Sequence, residues 1–305
     1  MNWGAISRLQ KVWDVRAACN FVGGGTGSGI LLWSALGLVV GFPYWHAATF
    51  GLAFVMAGLL MVWIELGKPW RALYLYFRPQ TSWMTREGIV ALPLLASGVV
   101  AVLLDAGAIV TGWPSLLPFS AALAAALSVV FLHCQLRILS SARGLPAWRE
   151  PKAMLLLGSS GLAEGLGFYI LVLALLGYVP SGLLPPALAL LLTRILAWNM
   201  YLASLARPRS PRSTVIALLR IRRGFLLGGH LVPGVLLLSV WIFPGAALPL
   251  TAAAGAMMTL SGWLLKIILV TRAAYIPKFT APMAPVRGSR SPDTGATDFQ
   301  TRRPV

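Results

Sequence analysis

The sequence predicts an all-α protein: a polytopic membrane helix bundle of eight transmembrane helices, with both termini in the cytoplasm. Three observations support this fold class. The mean hydropathy is +0.78 and only 11% of the 305 residues are charged, which is far outside the range of soluble domains. Apolar stretches of about 20 residues, the length that crosses a bilayer, recur along the whole chain. The basic residues are confined to alternate connections between these stretches.

The apolar stretches are predicted to be helices because, in hydrocarbon, every backbone polar group must be paired within its own segment. Their residues are mainly Leu, Ala, Val and Gly and do not alternate with polar residues as in a barrel. They form one transmembrane domain, 1–272. The remainder, 273–305, is rich in Pro, Ser, Gly and Arg and is predicted to be disordered unless a partner orders it. The predicted spans are 19–40, 47–66, 88–110, 116–137, 153–177, 183–205, 225–243 and 248–271.

The net charge of +17 indicates membrane topology rather than nucleic-acid binding. Of the 25 basic residues, all but Arg194 and Lys266 lie before the first span, after spans two, four and six, or after the last span. The loops around 41–46, 111–115 and 178–182 contain none. This distribution follows the positive-inside rule. We therefore expect a multi-pass protein of the inner (cytoplasmic) membrane, in contact with the lipid bilayer and with no nucleic-acid partner.

The first span contains the glycine-rich sequence "NFVGGGTGSG". No Lys-Ser or Lys-Thr follows it and no strand precedes it, so a phosphate-binding loop is not indicated. Gly25 and Gly29 stand four residues apart, as do Gly23 and Gly27. This is the spacing of small residues that lets transmembrane helices approach closely. We therefore predict helix packing for this glycine cluster.

Two ionisable residues are predicted near the middle of the membrane. Glu164 in span five and Arg194 in span six each lie about 17 Å from a helix end. A charge at this depth costs about 2.5–3.5 kcal/mol on insertion scales and so needs a partner or a function. We predict that Glu164 and Arg194 meet as a buried ion pair, or that Glu164 relays protons. His133, late in span four, is a further candidate for this group.

The histidines and cysteines limit the cofactors that the chain can hold. Cys19 and Cys134 form no CxxC pair, so the chain is not expected to ligate an iron-sulfur cluster or any other metal centre. His133 and His230 fall at similar depths on different helices, as bis-histidine haem ligation requires. A haem b cytochrome subunit therefore stays open as an alternative. A secondary transporter, with Glu164 and Arg194 lining its path, is the other.

The connection after span two is unusually charged and aromatic for so apolar a chain. It reads "ELGKPWRALYLYFRPQTSWMTRE" from residue 65 to residue 87. This stretch resembles the corresponding loop in integral membrane subunits of the DmsC and NrfD type, the quinone-handling anchors of molybdenum or tungsten oxidoreductases. The chain departs from that family at Glu65, where a histidine is usual. The matching residues are Leu66, Gly67, Pro69, Arg71, Ala72, Ser82, Trp83 and Glu87.

The resemblance implies a membrane anchor that does not itself oxidise the substrate and has no catalytic residues of its own. Such a subunit exchanges electrons between the quinone pool, of ubiquinone or menaquinone, and two partners: a ferredoxin-like iron-sulfur subunit and a molybdenum or tungsten pterin subunit. The charge distribution puts these partners on the cytoplasmic side. Quinone chemistry needs an apolar slot, donors to the carbonyl oxygens and groups that pass protons. The residues assigned to quinone binding are Glu65, Arg71, Trp83, Glu87 and His230, and those assigned to partner docking are Lys68, Arg78 and Arg86.

Overall fold

The computed structural model describes residues 7–65, 76–77, 79–206 and 210–277, which form a helix bundle. Within these residues, eight helical segments are long and apolar enough to cross a membrane, which confirms the predicted fold class and number of spans. The elements are β1 Ser7–Leu9, α1 Val15–Val39, α2 Trp45–Glu65, α3 Trp83–Asp105, α4 Leu116–Ser141, α5 Pro146–Arg149, α6 Pro151–Leu175, α7 Leu184–Leu205, α8 Arg212–Leu226, α9 Val232–Ile242, α10 Ala247–Thr271 and β2 Tyr275–Pro277.

Two spans begin five or more residues earlier than the sequence predicts. Helix α3 begins at Trp83 because Ser82 is extended and its side chain accepts a hydrogen bond from the backbone N–H of Thr85, at 3.3 Å. The seventh span begins at Arg212: α8, a π-helical turn over Leu227–Leu231 and α9 form one continuous span of 31 residues. This span is about 46 Å long, whereas the hydrocarbon is about 30 Å thick. Its arginine-rich start therefore extends beyond the hydrocarbon.

Helices α1 and α6 form the centre of the bundle. In their apolar windows 61% and 72% of the residues are buried, and no other span exceeds 50%. Glycines allow this close contact, because a Cβ atom at Gly29 or Gly165 would run into the backbone of the other helix. The predicted role of the glycine cluster in packing is confirmed. Gly23 and Gly27 face α2 in the same way, where added Cβ atoms would meet the carbonyl oxygens of Phe54 and Gly51.

The two ends of the described chain meet at one end of the bundle. Strands β1 and β2 pair antiparallel, with Arg8 opposite Ile276, and the N–H of Gln10 donates to the carbonyl oxygen of Ala274 at 2.9 Å. The sequence does not predict these strands. The ends of α2, α4 and α7 and the starts of α3, α6 and α8 lie at the same end, which we call the basic end. The connections at the opposite end, 40–44, 106–115, 176–183 and 243–246, contain no lysine or arginine.

Candidate functional site

A pocket opens at the basic end between the ends of four transmembrane helices. Its volume is about 210 Å³, smaller than the roughly 300–1,000 Å³ of typical ligand sites. That size suits a single ring system better than a large ligand. Most of the lining is apolar, with one amide and one carboxyl group. The lining residues come from the start of α1 and the segment before it, the end of α2, the start of α3 and the end of α4: Trp13, Ala17, Asn20, Phe21, Val62, Glu65, Met84 and Ile138.

Glu65, the last residue of α2, lines this pocket and is half-buried. Asp14 and Arg16, at the start of α1, are close enough to act on it electrostatically. These two residues form an ion pair of their own, with 2.8 Å between Arg16 Nη2 and Asp14 Oδ2. Glu65 thus brings a carboxyl group to the edge of an apolar pocket, where it remains in reach of water.

Glu87 lies deeper, in the second turn of α3, and is only 3% exposed. The side chains of Asn20 and Gln135 face it. Gln135 Nε2 donates to the backbone oxygen of Asn20 at 3.0 Å. Among the described residues, neither Glu87 Oε1 nor Asn20 Oδ1 has a hydrogen-bond partner. Because Asn20 also lines the pocket, it connects the pocket to a buried carboxyl group behind the pocket wall.

Trp83 does not line the pocket but covers the outer surface of α3 and α4. The guanidinium groups of Arg86 and Arg137 lie 4.2 and 5.0 Å from the centre of its ring, which gives cation–π contacts. His133 is exposed and meets the Trp83 ring edge-on, with the ring centres 5.7 Å apart. His133 is therefore part of a surface cluster at the basic end, and its assignment to the proton-relay or ion-pair group stays a prediction.

Three of the predicted residues, Lys68, Arg71 and Arg78, lie outside the described residues. Arg86 is described, and besides covering Trp83 it donates from Nε to the Pro79 carbonyl oxygen at 2.8 Å and from Nη2 to that of Gln80 at 2.9 Å. These bonds hold the chain that leads into α3. Its assignment to partner docking stays a prediction.

The buried ion pair in the middle of the bundle joins Glu164 to Lys266. Glu164 Oε2 lies 2.7 Å from Lys266 Nζ, and the two side chains are 0% and 3% exposed. Thr26 donates to the same oxygen at 2.7 Å, and Trp263 Nε1 donates to Thr26 at 2.9 Å. The predicted pair of Glu164 with Arg194 is wrong, because a third residue, Lys266 on α10, is the partner.

Arg194 is fully buried and, within the described part of the chain, bonds to neutral acceptors only. Its Nε donates to His230 Nε2 at 2.9 Å, its Nη1 to the Met258 carbonyl oxygen at 3.2 Å, and its Nη2 to Gly229 O at 2.6 Å and Ser261 Oγ at 2.9 Å. The Gly229 carbonyl is available because Pro233, four residues later, has no N–H to donate to it. The cation is thus held by dipoles rather than by a carboxylate.

His230 lies beside Arg194 and does not line the pocket at the basic end. Arginine can only donate, so Nε2 of His230 must be the acceptor in their bond. Nδ1 therefore carries the proton and donates to the Phe225 carbonyl oxygen at 2.7 Å. Both ring nitrogens are engaged and His133 is on the surface, so these contacts argue against the bis-histidine haem site.

Sequence reasoning missed Asn20 and Gln135, and it noted Lys266 without linking it to Glu164. A usable signal was present, since Asn20 and Gln135 are amides inside apolar spans, where an unpaired polar group is costly. The glycines of α1 were a second signal. An added Cβ atom at Gly24 would meet the Gln135 side chain, and one at Gly25 would meet Lys266 Nζ.

No family model matches the chain. No curated protein matches it either.

Proposed function

We propose that this chain is the quinone-reactive membrane anchor of a multi-subunit oxidoreductase. The observation that carries the proposal is the pocket at the basic end, with Glu65 at its edge and the buried Glu87 behind Asn20. An apolar slot for a ring, amide groups for its oxygens and carboxyl groups for its protons are the requirements of quinone chemistry. The resemblance of residues 65–87 to quinone-handling subunits points to the same end of the bundle.

The half-buried carboxyl group of Glu65 and the buried one of Glu87 suit proton exchange with a bound quinone. Reduction of a quinone to a quinol takes up two electrons and two protons, one on each ring oxygen. Glu87 Oε1 is buried and has no hydrogen-bond partner among the described residues. This oxygen can therefore take up a proton without breaking a hydrogen bond already made, so Glu87 can hold a proton as well as release one. Glu65, half-buried at the pocket edge, is the route to water.

The electrons come from outside the chain in this proposal. Its two cysteines, Cys19 and Cys134, are both free thiols and cannot ligate a cluster between them. The partners we propose are a ferredoxin-like iron-sulfur subunit and a molybdenum or tungsten pterin subunit. They would dock at the basic end, which we assign to the cytoplasm on the positive-inside rule. A substrate that stays inside the cell, such as an acyl-CoA thioester, fits that side.

Quinone binding is tested on the purified full-length chain with a short-chain ubiquinone and a short-chain menaquinone analogue. Met84→Phe narrows the pocket and should weaken binding by about tenfold or more, since pocket shape decides the affinity of a ring. Met56→Phe makes the same change at an exposed position on α2 and should leave binding unaltered. Equal binding by both variants and the wild type would place any quinone site elsewhere.

The partner assignment is tested by purifying the chain from its native membrane in mild detergent. We expect iron and either molybdenum or tungsten to co-purify with the chain in stoichiometric amounts. A chain that purifies alone from membranes in which it is active, without these metals, would contradict the assignment.

A second candidate function is secondary transport. It is favoured by the π-helical turn Leu227–Leu231, which interrupts the seventh span beside the buried cation of Arg194. Transporters often place interrupted helices and ionisable residues near the midplane. Proton-coupled uptake by liposomes that contain only this chain would support transport, and co-purification with metal-bearing subunits would count against it.

A further inference from the structure

The buried polar residues of the bundle are arranged along one helix, α1. Asn20 faces Glu87 and the pocket at the basic end. One turn further on, Gly24 leaves room for the Gln135 side chain, and Gly25 leaves room for Lys266 Nζ. Thr26 then donates to Glu164. Because the two glycines have no side chains, polar groups from α4 and α10 can lie against the backbone of α1. We call the resulting row of polar groups, from Asn20 through Gln135 and Lys266 to Glu164, the seam; it leads from the pocket into the core.

The inner end of this seam is a site that can take up a proton. Glu164, near the middle of the 25-residue helix α6, uses Oε2 for both of its bonds, to Lys266 and to Thr26. Its Oε1 is buried and has no partner among the described residues. A free carboxylate oxygen in the core can accept a proton without breaking a bond already made. Intramembrane carboxylates that face a bundle interior commonly serve in proton relays.

We propose that the Glu164–Lys266 pair is a buried proton-binding site that exchanges protons with the pocket through Glu87 and the seam at Gln135. In the inward step an O–H bond on Glu87 breaks and an O–H bond on Glu164 forms, while Lys266 stays an ammonium ion. A water molecule held between the Gln135 amide and Lys266 accepts the proton that leaves Glu87 and gives one of its own protons to Glu164, so that the water is neutral again. The outward step is the reverse. Gln135 is a positioning residue, since its amide keeps the seam polar but does not itself keep the proton.

The charged and titratable groups around the two carboxyl groups fit this exchange. Glu164 faces Lys266 on α10, and Arg194 on α7 acts on it electrostatically. Both are cations, which favour the ionised form of a carboxyl group, so Glu164 can release its proton again. Glu87 lies near the thiol group of Cys134, on which the charge of Arg86 also acts, and the neutral amides of Asn20 and Gln135 face it. Use of the site for quinone protonation rests on the proposed function, whereas the exchange itself does not.

The test uses the small number of glutamates in the chain: Glu65, Glu87, Glu150 and Glu164. The full-length protein is labelled with ¹³C in its glutamate carboxyl groups and placed in liposomes. Infrared difference spectra are recorded after a step in buffer pH. Glu164→Gln and Glu87→Gln assign the two buried signals. We expect the Glu164 signal to respond to the pH step in the wild-type protein.

Gln135→Met replaces the amide by an apolar side chain of similar length. It should slow the Glu164 response by at least about tenfold, whereas Glu87, next to the pocket, should still respond to the pH step. Gln135→Glu keeps the seam polar and should restore the rate. Ser128→Ala is the matched control, because Ser128 is buried on the same helix and its hydroxyl group, among the described residues, bonds to the carbonyl oxygen of Ala125 alone. It should have no effect.

Two results would overturn the proposal: a Glu164 signal that does not respond to pH, or an equal response rate in the wild type and Gln135→Met. Quinone titration on the same samples distinguishes failure of the proposed function from failure of the buried proton site. Loss of quinone binding with an intact Glu164 response would refute the proposed function alone. Quinone binding with a silent Glu164 would refute the buried proton site alone.

Discussion

The Nζ atom of Lys266 and the Oε2 atom of Glu164 lie 2.7 Å apart in the core, on helices α10 and α6. Each charge is removed from water, and each is compensated mainly by the other. Removing one partner from such a pair leaves an uncompensated charge, which costs more than the intact pair contributes.

Lys266→Met and Glu164→Gln should therefore each destabilise the protein by about 3–5 kcal/mol. The double variant should recover much of that loss, because it leaves neither charge behind. A double-mutant cycle of unfolding free energies in detergent measures the coupling. Strictly additive losses in the double variant would show that the two side chains do not depend on each other.

Gly165→Ala should separate α1 from α6, since a Cβ at this position would meet the Gly29 backbone. Overpacking of this kind costs about 1–3 kcal/mol. The matched control is Gly224→Ala in α8, where a Cβ has open space and alanine favours the helix by up to about 1 kcal/mol. Thermal unfolding of the two variants should therefore shift in opposite directions, and a stabilised Gly165→Ala protein would contradict the close contact.

His230 should show a single tautomer, with the proton on Nδ1. Arg194 Nε occupies Nε2 from one side, and the Phe225 carbonyl oxygen accepts from Nδ1 on the other. ¹⁵N spectra of the histidine side chains measure this directly, with the exposed His133 as an internal reference. A protonated Nε2 on His230 would contradict the bond from Arg194, because the guanidinium group has no acceptor for it.

Asp14 should keep its charge to lower pH than an ordinary aspartate. The side chain and the backbone N–H of Arg16 both donate to it, and these bonds lower the pKa of the carboxyl group. A group with a lowered pKa in the folded state stabilises the protein at higher pH, and that contribution is lost as pH falls through the lowered pKa. A ¹³C titration of the Asp14 carboxyl carbon checks the direction.

Asp14→Asn is the control for this prediction. It keeps a side-chain oxygen for the N-terminus of α1 but has no titrating charge. Hydrogen exchange at the start of α1 should then lose the pH dependence that the wild-type protein shows. If the wild-type and Asp14→Asn proteins behave identically as pH falls, the carboxylate does not support this helix end.

The fold was largely predictable because a long apolar segment in a bilayer must pair its backbone polar groups within itself and therefore forms a helix. The start of the seventh span was not. Hydropathy treats the arginine-rich segment after residue 212 as a loop, yet its helix simply continues out of the hydrocarbon with exposed Arg220 and Arg223. The strands β1 and β2 have three residues each and pair across almost the whole chain, so no local pattern indicates them.

The candidate site was less predictable, because the sequence does not determine how each helix is rotated about its own axis. A sequence fixes how far along a helix Glu164 lies but not which neighbour its face meets. Arg194 and Lys266 were both available cations, and the long lysine side chain reaches Glu164 from near the end of α10. The end pocket was partly predicted through Glu65, whereas Asn20 and Gln135 were missed because isolated amides give no spacing pattern.

The antiparallel pairing of β1 with β2 has a consequence for biogenesis. Strand β1 leaves the ribosome first, yet its partner is synthesised only after the eighth membrane segment. The beginning of the chain must therefore wait, unpaired, until insertion of the whole bundle is complete. Closure of this strand pair therefore follows synthesis of the eighth segment, and a chain truncated before Tyr275 would leave its first strand without a partner.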